Sequence, residues 1–170
     1  IMPSPLYSGA AAIHVGTLTA QEGLGWDFYE KMAANGAMAG KGNGSVRNAV
    51  AKGEKAYGVI IDYMAFGAKE KGSPVDFVFP EEGVTSINQP VAILSTSKNV
   101  EAAKAFVDFQ LSDAAQKQSV SQSYLPLKEG IFPPPNYPAV NTIKVMTVPA
   151  QKLLDTADQN KRNFADIFGG

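Results

Sequence analysis

The chain has 170 residues, 45% of them hydrophobic, and fifteen basic against sixteen acidic side chains give a formal net charge of −1. This is enough apolar content to bury a core, and the charge is too evenly balanced for a nucleic-acid groove or a membrane-binding face. There is no cysteine and one histidine, which removes disulfides, thiolate metal sites and cysteine nucleophiles and leaves histidine-rich metal sites without ligands.

Taken in chain order, Pro3, Pro5 and the turn Tyr7-Ser8-Gly9 predict an extended segment followed by a helix that opens near Ser8 and runs to about Ala20. A second helix is predicted from Leu24 to Ala34, with Gly36 as its left-handed stop, then a short strand from Ala37 to Gly40. Lys41 to Gly44 reads as a loop, and Ser45 as the cap of a short helix from Val46 to Lys52 ending at Gly53. Tyr57 to Ile61 has the pattern of a buried strand, with Asp62 and Tyr63 at its carboxyl end, where ligands gather in open α/β sheets. A helix from Met64 to Lys71 and a strand from Val75 to Phe79 follow.

Pro90 to Leu94 reads as another strand. Beyond it, Asn99 can cap a helix whose apolar residues Val100, Ala103, Phe106, Val107 and Leu111 recur at helical spacing, and Ser112 can cap the next one. After Gln122 the prolines of Leu125-Pro126-Leu127 and Phe132-Pro133-Pro134-Pro135 rule out regular helix and predict a crossing or wrapping segment. Two terminal helices are expected, Val148 to Ala157 and Gln159 to Phe168. No apolar run approaches the roughly 20 residues that cross a bilayer, and the start at Ile1-Met2-Pro3 lacks the features of a signal peptide, so a targeting segment of an exported protein would lie outside these residues.

Few residues invite an enzymatic reading. His14 lies inside an apolar helical run, a poor place for a triad base. Gly40-Lys41-Gly42-Asn43-Gly44 lacks the ending of a P-loop and the spacing of a dinucleotide fingerprint. Glu81-Glu82 and Glu22 with Asp27 read as solvated surface carboxylates. Tyr7-Ser8-Gly9-Ala10, together with Asn43, Asp62 and Tyr63, offers more. A helix starting at Ser8 would turn free backbone N–H groups and a partial positive charge outward, and Gly9 would let an anion approach Ser8 Oγ and the amides of Gly9 and Ala10. The plain alternatives are an N-cap serine, a turn asparagine at Asn43 and a helix-capping aspartate at Asp62.

The stretch AILSTSKNVEAAKAFVDFQLSDAAQ, Ala92 to Gln116, resembles a passage in the extracellular solute-binding proteins of ABC importers, in the branch of ferric-iron-binding proteins and their organic-anion-binding relatives. In that family the passage is scaffold. Pro5-Leu6-Tyr7-Ser8-Gly9-Ala10 is similar to a family turn of the form P-x-x-S-G-A, whose serine and following amides hold an anion in the iron-binding relatives. Gly42-Asn43-Gly44-Ser45-Val46 is similar to a segment whose asparagine reaches the ligand cleft. Ala56 to Tyr63 resembles the run that ends in two iron-ligating tyrosines, but Asp62 stands in place of the first and only Tyr63 keeps the phenol.

The resemblance implies an α/β fold, a type II periplasmic-binding-protein-like lobe with a mixed sheet flanked by helices. It implies that residues 1–92 form most of the second lobe, 93–141 return to the first, and 142–170 rejoin the second, with the N-terminal lobe outside this sequence and binding by these residues alone weak. The implied function is non-enzymatic: capture of a small anionic or zwitterionic solute between the lobes, through Tyr7, Ser8, Gly9, Ala10, Asn43, Asp62 and Tyr63, for delivery to an ABC permease. The protein would be monomeric and periplasmic or extracellular, with no cofactor and no nucleic-acid partner. The alternatives are a ferric-iron carrier using a synergistic anion, with Asp62 and Tyr63 as metal ligands, and the effector-sensing domain of a transcriptional regulator.

Overall fold

A computed structural model describes residues 1–135 and 137–169. The chain forms two compact units, one of Ile1–Ile87 with Ala139–Gly170 and one of Asn88–Pro138.

In the first unit, β1 (Met2–Pro3) pairs in parallel with β2 (Ala39–Gly40), Met2 opposite Ala39 and Pro3 opposite Gly40. The crossover between them holds α1 (Gly9–Leu18) and α2 (Gly25–Ala34). Gly36, at φ +82°, supplies the left-handed residue that ends α2, as its sequence predicts. Next come α3 (Asn43–Ala51) and α4 (Asp62–Glu70). A second parallel pair joins β3 (Val84–Thr85) to β4 (Val145–Met146). The core is built on Met2, Val15, Leu18, Tyr29 and Phe164, with Val59 and Met146 packed against it.

The sheet departs from expectation. Among the described residues the strands form two small parallel pairs and not one mixed sheet. Tyr57 to Ile61 is extended, and it meets Ile1 through two hydrogen bonds, Ile1 N to Tyr57 O and Val59 N to Ile1 O, both 2.9 Å. It does not continue as a strand, because an asparagine side chain takes the amide of Ile61 where a ladder partner would be. Val75 to Phe79 alternates half-buried with exposed side chains, as a strand would, but belongs to neither ladder. Its register is held by packing, Phe77 and Phe79 lying 5.4 and 6.5 Å from the Phe66 ring.

Three helix boundaries also move. The third helix starts at Asn43, not Val46. Ser45 sits one turn inside it and reaches back, accepting from Gly42 N at 3.2 Å and donating to Gly42 O at 2.7 Å, the role a third-position side chain plays in a capping box. The fourth starts at Asp62. The two terminal helices are one, α7 (Ala150–Phe168), since no glycine or proline interrupts the 19 residues between Pro149 and Gly169. It packs Phe164 into the core and crosses α1 at Gly16, where a Cβ would stand 2.9 Å from Leu153 Cδ2.

The second unit holds α5 (Val100–Gln110) and α6 (Asp113–Val120). Ser112 caps α6 as read, its Oγ accepting from Ala115 N at 3.3 Å. Asn99 precedes α5 without a side-chain cap, and Ser97 Oγ accepts the Asn99 amide instead. Residues 90–94 are exposed and irregular rather than a strand. No residue of α5 is buried, and Phe106, on its apolar stripe, is 57% exposed. The proline-rich segment after α6 is irregular as expected, and it is fastened by Gln116, which donates to Gln110 O and accepts from Leu127 N. Tyr137 Oη also donates to Ser123 O at 3.0 Å.

Candidate functional site

The site lies in the first unit and is built on the segments that follow β1 and β2. β1 bonding continues to Ser4, whose amide donates to Gly40 O at 2.8 Å, and the Ser4 carbonyl then accepts from Tyr7 N and Ser8 N to close a tight turn. Ser8 is extended, with φ −127° and ψ 116°, and its Oγ accepts from Ala11 N at 3.2 Å, so it is the N-cap of α1. The space beside Gly9 is open: a Cβ there would meet nothing within 4 Å. No acceptor among the described residues meets the amides of Gly9 and Ala10, two of the donors every helix start leaves over.

Asn43 joins this turn to the rest of the site. Its Nδ2 donates to Ser8 Oγ at 3.3 Å and its Oδ1 accepts from Ile61 N at 3.1 Å. The starts of α1, α3 and α4 are thus gathered around one amide side chain. With Ala11 N and Asn43 Nδ2 both donating to it, Ser8 Oγ has its lone pairs engaged and its own proton left to offer.

The charges at the three helix starts differ. Neither α1 nor α3 has an acidic residue in its first turn, so their positive dipole ends are uncompensated. α4 carries Asp62 there. Asp62 is neither a strand-end residue nor the N-cap: it is the first residue of α4, and its Oδ1 accepts the Tyr63 amide at 2.8 Å. Ile61 holds the cap position. Asp62 and Tyr63 are both half-buried and enter the arrangement through the backbone of Ile61, while Ser8 and Asn43 touch directly.

Tyr7 stands outermost, 62% exposed, with Lys41 Nζ 5.7 Å from its ring centroid. Lys41 had no place among the sequence candidates. Its position depends on the pairing of β1 with β2, which nothing local in its glycine-rich surroundings encodes. His14, further along α1, is turned to structure: its Nδ1 lies 3.1 Å from Thr85 Oγ1, and burial lowers its pKa to about 4. Among the described residues no group of three or more histidine, aspartate or glutamate side chains could hold a metal ion.

Residues 7–161 match the family model described as bacterial extracellular solute-binding protein. The spermidine/putrescine-binding periplasmic proteins of Escherichia coli (strain K12) and Shigella flexneri are each 35% identical to the chain over 71 residues, 42% of the chain. That match spans 20% of the relatives' own length.

Proposed function

The chain belongs to the bacterial extracellular solute-binding protein family, and from that premise we propose that it is the capture component of an ABC importer, binding a small anionic or zwitterionic organic solute at the start of α1. The family binds solutes without transforming them, and membership places the protein outside the cytoplasm, periplasmic or extracellular. No helix among the described residues is long and apolar enough to cross a membrane.

The observation that carries this reading is the convergence of the α1, α3 and α4 starts on Asn43, with open space beside Gly9 and no acceptor among the described residues on the amides of Gly9 and Ala10. Neutral donors fixed by the fold bind an oxyanion without reorganising, and the two uncompensated helix dipoles add to the attraction. Asp62, at the third start, would take the amine of a zwitterion, and Tyr7 and Tyr63 would flank its carbon skeleton. Residues 1–92 and 142–170 are assigned to one lobe and 93–141 to the other. The composition of the two compact units, close to those boundaries, supports that assignment.

The names of the two relatives favour a second reading, a polyamine ligand, for which Asp62 would be the cation partner. Ferric iron with a synergistic anion rests on Asp62 and Tyr63 alone, and an effector-sensing role on the fold alone. A thermal-shift screen of the protein with both lobes separates the ligand readings, because a ligand that binds only the folded state raises the melting temperature. A shift with phosphorylated, phosphonate or carboxylate compounds that is lost in Ser8→Ala supports the anion site. A shift with spermidine that survives Ser8→Ala and is lost in Asp62→Asn overturns it, and so does a shift with ferric citrate alone.

A further inference from the structure

We propose that Lys41 is the charge-selecting residue of this site, favouring a solute with a doubly negative head, a phosphate or phosphonate, over a singly charged carboxylate. The inference rests on the anion-site reading and deepens it.

The turns after β1 and β2 are joined twice. Asn43 meets Ser8 at 3.3 Å, and two residues earlier Lys41 lies over the ring of Tyr7, the residue just before Ser8. The second link holds an ammonium group beside the same turn that presents Ser8 Oγ and the amides of Gly9 and Ala10. The four ion pairs of the described residues employ Lys52, Lys69, Lys104 and Lys128, and Lys41 has no carboxylate partner. An aromatic face attracts a cation but does not neutralise it. Among the described residues, therefore, no carboxylate competes with a ligand for the Lys41 ammonium.

The other groups at the turn are neutral donors and fractional dipole charges, suited to one negative charge. A phosphate monoester carries nearly two at neutral pH. Its second charge is the one that requires a formal cation within reach, and a lysine on a flexible stem supplies a point charge without fixing orientation. Tyr7 limits the wandering of that stem, which lowers the entropy lost when the ammonium meets the ligand.

The test is calorimetric titration of the protein with both lobes, using glycerol 3-phosphate and glycerate, which share a small hydroxylated skeleton and differ in head-group charge. Wild type is expected to prefer the phosphate. Lys41→Ala should weaken glycerol 3-phosphate binding about tenfold, the loss of one charge-assisted contact, and change glycerate binding by less than about threefold. The difference should shrink as salt screens the exposed ammonium. Lys41→Arg should keep most of the preference. Lys41 is exposed, so its replacement does not threaten folding. If Ser8→Ala weakens both probes while Lys41→Ala weakens neither or both equally, the assignment of Lys41 fails and the anion site stands. If Ser8→Ala changes nothing, or the protein with both lobes binds neither probe, both fail.

Discussion

Asn43 Nδ2 donates to Ser8 Oγ across 35 residues of chain, and the same amide group takes the Ile61 N–H with its oxygen. One side chain thereby sets the spacing of three helix starts. Asn43→Ala would strand the Ile61 amide and release the Ser8 hydroxyl, a cost of about 1–3 kcal/mol for a partly buried group. Asn43→Asp keeps the acceptor for Ile61 but puts a negative charge against Ser8. Urea denaturation should therefore show Asn43→Ala as the less stable, and titration with glycerol 3-phosphate should show Asn43→Asp as the weaker binder. Equal stability of Asn43→Ala and wild type would remove Asn43 from its bridging role.

Gly58 is needed for the same spacing. A Cβ on it would stand 2.6 Å from Val46 Cγ1 and 2.9 Å from Val50 Cγ2, both on α3. Valine in a helix has one strongly preferred rotamer, so neither side chain can turn aside. Gly58→Ala should push α3 from the 57–61 segment, cost about 1–3 kcal/mol, and weaken the Asn43–Ile61 bond. Amide hydrogen exchange at Ile61 should quicken, and unchanged exchange with unchanged stability would mean the segment shifts without strain.

The starts of α1 and α6 were legible because their signals are local. Ser8 and Ser112 cap the helices that follow them, and each needs only its own extended backbone and a hydroxyl within reach of a nearby amide. Apart from the short strand within Ala37 to Gly40, strands were not, because a strand is defined by a neighbour. Pro90 to Leu94 has the composition of one and stays exposed, and Tyr57 to Ile61 finds two bonds to Ile1 before Asn43 takes over. Two terminal helices were expected, Val148 to Ala157 and Gln159 to Phe168, yet nothing between them has the means to stop a helix. At the site, the meeting of Ser8 with Asn43 could be anticipated from their resemblance to a known pattern. The approach of Lys41 to Tyr7 could not, since it follows from the register of β1 on β2.

His14 makes stability depend on pH with a definite sign. Burial lowers its pKa from 6.5 to about 4 in the folded state, so between those values the unfolded chain binds more protons. Stability is fully present above pH 6.5 and falls as the pH drops towards 4. The loss should be about 2 kcal/mol, less than the whole shift implies because the ring keeps some solvent contact. His14→Gln, which can keep a hydrogen bond to Thr85, should flatten the profile in this window. An unchanged slope would place the titration elsewhere.

Tyr29 is fully buried against Phe28 and Phe164, and its hydroxyl has no hydrogen-bond partner among the described residues. Tyr29→Phe removes an unsatisfied donor and leaves the ring contacts in place. It should leave stability unchanged or raise it by up to about 1 kcal/mol. A loss of more than that on thermal unfolding would reveal a buried water serving the hydroxyl.

In the second unit, Gln116 does for the proline-rich segment what Asn43 does for the helix starts. It is 7% exposed, donates to Gln110 O at 2.9 Å and accepts from Leu127 N at 2.7 Å, so it ties the end of α5 to a stretch that has no regular structure of its own. Proline-rich chain cannot build a ladder of amide bonds and depends on such side-chain anchors. Gln116→Ala leaves a partly buried carbonyl and a backbone amide without this partner, at about 1–3 kcal/mol. Because the Leu127 bond closes only the loop after α6, the expected response is local opening: faster hydrogen exchange at Leu127, with the amides of α1 and α7 unchanged. If exchange quickened equally in α1, the two units would have to unfold together, and the loop would owe its order to global stability and not to Gln116.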